Sequence, residues 1–108
     1  MTRSQPARGF NAPFVAHPSR PVLVLYQFRF DFNNGAAGQV ELRSDPFSPP
    51  TTVVAVAEQF LSGAIGATLQ TVHTLVALIF PGAFVEVATV TFAGGPVFTF
   101  LGATEVVL

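Results

Sequence analysis

The sequence predicts an α+β domain, two β-hairpins flanking a helical middle segment, with an extended N-terminal arm. Three observations predict it. Residues 22–32 are apolar at every even position, with the odd positions turning polar from Gln27, residues 53–64 and 69–80 place apolar side chains at helical spacing, and Pro6, Pro13, Pro18 and Pro21 interrupt the start. An all-β sandwich is the alternative, because the middle segment is rich in Thr and Val, which suit strands.

The prolines fix φ and remove backbone donors, so neither a helix nor a central strand runs through residues 1–21. That stretch is read as an arm, and residues 22–108 as one compact strand-rich domain. The arm also carries Phe10, Phe14 and Val15, apolar anchors that an ordinary disordered tail lacks. In residues 22–32 the even positions Val22, Val24, Tyr26, Phe28, Phe30 and Phe32 are all apolar, while Gln27, Arg29 and Asp31 oppose them. This is a strand with one buried face. Asn33-Asn34-Gly35 tolerates positive φ, and residues 39–44 alternate again through Val40 and Leu42, which together predict the first hairpin. Pro46, Pro49 and Pro50 then break the chain, and Thr51 or Thr52 is placed to cap a helix. Val53, Val56, Ala57, Phe60 and Ala64 recur at helical spacing, weakened by Gly63 and Gly66; Leu69, Val72, Val76, Ile79 and Phe80 resume it. Pro81-Gly82 ends the segment. Residues 84–92 and 97–101, joined by Gly94-Gly95-Pro96, predict the second hairpin.

Composition points away from a solitary monomer. Charged residues are 10% of the chain, against roughly 25% for an ordinary soluble domain, and Phe occurs 12 times. A small domain has much surface to cover and few polar groups here to cover it. The charges are also segregated. All five basic residues are Arg (Arg3, Arg8, Arg20, Arg29, Arg43), giving residues 1–43 a balance of +3, whereas residues 44–108 hold four acids and no base. A positive arm and a negative body suit docking of the arm on a neighbour, with Arg3, Arg8, Phe10, Phe14 and Arg20 as its contact residues.

Catalysis, metals and nucleic acid find little support. There is no cysteine, the two histidines are far apart in sequence, and the six acids are scattered singly, so no cofactor or metal ligand set is expected. Ser62, His73 and Asp45 supply the residue types of a hydrolytic triad without the Gly-x-Ser-x-Gly turn that exposes its nucleophile. Tyr26 to Phe30 places aromatics around Arg29, as base-stacking sheets do, but those aromatics share a face with Val22 and Val24, which reads as core. Gly63-Ala64-Ile65-Gly66 has the outline of a phosphate clamp in a region with no base, so no nucleic-acid partner is expected. Pro18-Ser19-Arg20-Pro21 and Pro46-Phe47-Ser48-Pro49 match P-x-x-P, a pattern that nine prolines produce readily. No formal charge lies between Glu58 and Glu86, which keeps a membrane-associated protein with an apolar segment at 59–85 as the second functional reading. Ser62, Gln70, His73 and several threonines in that window oppose it.

In size, composition and arm-plus-body layout the chain resembles small structural proteins of tailed-phage virions, of the capsid cement or decoration type. The resemblance implies a non-enzymatic subunit, located in the virion, whose partners are protein: copies of itself or a major shell protein, in an oligomer or bound to a particle.

Overall fold

A computed structural model describes residues 1–33, 35–61 and 68–108. The described residues contain no helix. They form eight strands: β1 (Thr2–Ser4), β2 (Phe14–Val15), β3 (Val22–Asn33), β4 (Ala37–Asp45), β5 (Val53–Phe60), β6 (Thr68–Ile79), β7 (Phe84–Ala93) and β8 (Val97–Val107). The first sheet has the order β1-β8-β3-β6 and the second β2-β7-β4-β5. Every pairing is antiparallel.

The pairing has a simple logic. β4 pairs with β5, β3 with β6, β2 with β7 and β1 with β8, so the chain is one long antiparallel ribbon doubled back at residues 46–52. Rolling that ribbon brings β3 beside β8 and β4 beside β7, which closes two sheets over one core. This is the jelly-roll arrangement. The chain changes sheet at every connection except β4 to β5.

Two expectations are overturned. The helical middle segment is strand: β5 and β6 occupy most of it, so the fold is all-β and not α+β. The physical reason lies in β6. Its odd residues Leu69, Thr71, His73, Leu75, Ala77 and Ile79 face inward and are buried or half-buried, while Gln70, Val72, Thr74, Val76 and Leu78 face out and are exposed. Apolar side chains on both faces blur the period-two signal, and Leu69, Val72, Val76 and Ile79 then imitate a helical stripe. The two predicted hairpins also fail. β3 and β4 lie in different sheets, as do β7 and β8. Their inward rows are buried by facing each other across the sandwich, which a hairpin within one sheet cannot achieve. The turn at Gly35 (φ 80°) sends the chain across, fastened by Gly35 N–H donating to Leu61 O (2.7 Å) and Leu61 N–H donating to Ala36 O (2.9 Å). Gly94 (φ 68°) does the same between β7 and β8. Gly63-Ala64-Ile65-Gly66 and Ser62 lie outside the described residues, as does Asn34.

The core is built on β3. Val22, Val24, Tyr26, Phe28, Phe30 and Phe32 are all buried and meet Val40, Leu42, Val85 and Val87 of the second sheet. Residues two apart share a face of a strand. Phe28, Phe30 and Phe32 accordingly stack in a ladder, with centroids 5.5 and 5.1 Å apart, and Phe98 of β8 stands edge-on to Phe30 and Phe32.

Residues 1–21 run along this body. β1 joins β8 through Thr2, Arg3 and Ser4, and β2 joins β7 through Phe14 and Val15. Asn11 reinforces the docking: its backbone N–H donates to Val87 O (2.8 Å), and its side chain exchanges hydrogen bonds with Thr89. The apolar segment 59–85, the basis of the membrane reading, is shared among β5, β6 and β7, and among the described residues no helix is long and apolar enough to cross a membrane.

Candidate interaction surface

The five contact residues expected in the N-terminal segment have different fates. Arg8 reaches Glu105 of β8 in a two-point pair, Nε to Oε2 and the terminal nitrogen to Oε1, both 2.9 Å. Its guanidinium also lies 3.8 Å from the centre of the Phe14 ring. Phe10 packs against Phe28, Phe98 and Phe100, and Phe14 stands edge-on to Tyr26. Arg3 and Arg20 are exposed. Arg8, Phe10 and Phe14 therefore make their contacts within the chain.

Glu105 of β8 is the anchor of this segment. It is 3% exposed and is a buried acid in an apolar strand. Its register opposite Val24 turns it inward. Arg8 satisfies it from the rim, and Tyr26 donates its hydroxyl to Oε2 at 2.6 Å. The Glu105 hydrogen bond is the main reason the Arg8 guanidinium is held more firmly protonated than usual. Burial, and then the bond to Glu105, raise the Tyr26 phenol well above the ordinary tyrosine range. A buried ion pair of this kind is strongly destabilising to break from one side, because the remaining charge is left without its partner. The signal was present in the sequence as parity: Ala103, Glu105 and Val107 share one face of an alternating strand.

Of the residues considered for catalysis, Asp45 and His73 lie among the described ones, and each has its own partners. Asp45 is occupied by the β4–β5 turn, where its carboxylate accepts from the backbone N–H groups of Thr51 (2.6 Å) and Thr52 (2.7 Å). Those backbone bonds, Thr52 first, hold its carboxyl below the usual range. This turn also contains Pro46-Phe47-Ser48-Pro49. His73 faces inward, where its ring lies 4.4 Å from Phe30 and 6.1 Å from Phe28 and its Nε2 is 2.8 Å from the Thr71 hydroxyl. Burial pushes its pKa down.

The distinctive surface is the side of the sandwich formed by β5 and β6, the last strands of their respective sheets. On the outer face of β6 stand Val72, Val76 and Leu78, followed by Phe80, which is 73% exposed. On β5 Val53, Val54 and Val56 are each about half exposed. A groove of about 360 Å³ joins the two strands, lined by Val54, Leu78, Phe80, Pro46 and Pro81 among others. Val54 is the extra residue of a bulge, where Leu42 pairs with Ala55 and Arg43 with Val53. β6 contains no charged residue and no proline, and the charged residue of β5 is Glu58. The opposite side is guarded: β1 has three residues, β2 two, and the proline-bearing segment runs beside them. Short strands, charges and prolines are the usual protection of a sheet edge; β5 and β6 are long, and between them they carry Glu58 as their charged residue and no proline.

A second depression, about 630 Å³, lies over the outer face of the first sheet where Leu101 bulges from β8. Its polar side chains include Gln27, Thr74 and Thr104, and its one charged side chain, Arg8, is already bound to Glu105. Comparison with protein-family models, with curated proteins and with solved structures returned no match.

Proposed function

We propose that this chain is a non-enzymatic structural subunit of a larger protein assembly, and that it holds its place by packing the apolar β5–β6 side against other subunits. The observation that carries this reading is that side itself: seven large apolar side chains between 45% and 73% exposed, on long strands with almost no charge. Large apolar side chains gathered in this number along one side of a sandwich are the kind of surface that marks protein interaction sites. The low charge of the whole chain supports the same reading. The virion setting, as a cement or decoration protein, rests on the resemblance in size, composition and layout. The jelly roll is compatible with it, being frequent among viral shell domains, although a fold by itself assigns no function.

The test is the mass of the purified protein by light scattering over a range of concentrations. The reading expects a species several times the 11.4 kDa chain. A monomer at every concentration that partitions into lipid vesicles would instead support a membrane-associated role.

A further inference from the structure

We infer that the side of the sandwich between β7 and β8 is an acceptor site for an extended Arg-x-Phe-x-x-x-Phe segment, and that copies of this chain brought side by side exchange residues 1–16, each filling the other's site. This rests on the assembly reading and adds to it a second contact, with a neighbouring copy as the partner. Copies that stand apart dock their own segment, as in this structure.

Site and segment are separate parts of the molecule. Two strand edges frame the site. β8 takes Thr2, Arg3 and Ser4 opposite Val107, Val106 and Glu105, and β7 takes Phe14 and Val15 opposite Val85 and Phe84. Between the edges lie a carboxylate and an aromatic pocket: Glu105 receives Arg8 at two points, and Phe28, Phe98 and Phe100 meet the Phe10 ring. All of these acceptor groups belong to residues 22–108. Adding a strand to a sheet edge while side chains enter pockets is an established mode of peptide binding. An empty site would leave Glu105 buried without its cation and two edges unpaired, so the site stays filled. None of these contacts depends on which copy supplies the segment.

The tether decides between the two arrangements. Residues 16–21 join β2 to β3 through a bend in which Nδ1 of His17 accepts the backbone N–H groups of Ser19 (3.1 Å) and Arg20 (3.0 Å), and His17 O accepts from Gly82 N–H (2.9 Å). Pro18 and Pro21 follow His17 and Arg20, and a residue before proline favours extended backbone. The sequence of the bend therefore works toward opening it. Straightened, residues 16–21 span about 20 Å, comparable with the 24 and 17 Å cross-section of the molecule, so the segment reaches a neighbour lying alongside. Opening gives up the bonds at His17, while the contacts of Arg8, Phe10 and Phe14 are remade on the neighbour. Exchange of an identical element is for this reason a low-cost route between copies.

The chain has no cysteine, and Arg3 lies directly opposite Val106, within reach of a disulfide. The experiment mixes the full chains of two variants, Arg3→Cys and Val106→Cys, unfolded together, refolded at a concentration where the parent is an assembly, and oxidised. The linked peptides are then identified by mass. The expected result is chains joined from position 3 of one to position 106 of the other, in excess of the 3–3 and 106–106 links that random collision gives. A double variant with both substitutions in one chain is the control, and it should close between chains. An assembly whose double variant closes only within single chains, and whose mixture shows no excess of the 3–106 link, overturns the exchange and leaves the assembly reading in place. A double variant that never closes overturns the docking of β1 on β8, and the exchange with it. A parent that is a monomer at every concentration overturns the exchange and the assembly reading together.

Discussion

The buried pair of Glu105 and Arg8, with the Tyr26 hydroxyl, is where single residues matter most. It ties residues 1–21 to the last strand across nearly the whole length of the chain, and it places a charge where apolar packing would otherwise be continuous. Tyr26 is the one tyrosine and there is no tryptophan, so its ionisation can be followed without overlap. Its phenol is raised above the ordinary value by burial and by the carboxylate it serves. The sign follows: the unfolded chain loses the phenolic proton more readily than the folded one, so stability is intact below about pH 10 and falls as pH rises beyond it. In an alkaline titration, tyrosinate absorbance should appear together with loss of the near-ultraviolet dichroism of the fold. Tyrosinate appearing at the ordinary pKa while the fold persists would show that Tyr26 is not buried against Glu105. The sequence displayed Tyr26 as a core residue through the parity of β3. It did not display its partner, because a lone Glu near a C-terminus looks like a solvated end until the register with Val24 is known.

At the scale of elements, β3 was legible and its partners were not. An apolar residue at every even position from 22 to 32, with polar residues opposite from Gln27 on, identifies a strand and its buried face, and the observed burial of every even residue from Val22 to Phe32 agrees. Which strand lies beside it is a long-range matter: β6 and β8 are its neighbours, and neither adjoins it in sequence. Turn chemistry at Gly35 and Gly94 signals a change of direction, and the same residues serve a hairpin or a crossing between sheets. Gly94 is constrained both by its positive φ and by space, since an added Cβ would sit 2.8 Å from the Cα of Ala36. Gly94→Ala should therefore cost about 1–3 kcal/mol of stability, measured by denaturant unfolding. A neutral result would mean that the β7–β8 crossing does not need this conformation. The helical misreading of residues 53–80 has a definite cause. It took the outward-facing Val72 and Val76 for members of a buried stripe. Their hydrophobicity belongs to the outer surface, so the residues that obscured the fold are those of the proposed interaction surface.

For the whole molecule, the account joins a weakly charged composition to a particular place. The jelly roll protects one side with short strands and a docked N-terminal segment, and leaves the other lined with valine, leucine and phenylalanine. The low charge and high apolar content were legible from the start. The place was not, because it depends on the rolling of the ribbon that sets β5 and β6 side by side at the end of their sheets. The expected contact residues in the N-terminal segment divide accordingly, with Arg8, Phe10 and Phe14 turned to the chain's own core and Arg3 and Arg20 left at the surface. The most direct test of the central claim is sedimentation velocity of the double variant Val76→Asp, Leu78→Asp beside the unaltered chain. Both side chains face outward from β6, so the fold should survive, with a melting temperature within about 5 °C of the unassembled parent. The account predicts that the parent sediments as an assembly and the variant as a folded monomer. A variant that remains assembled like its parent would contradict it.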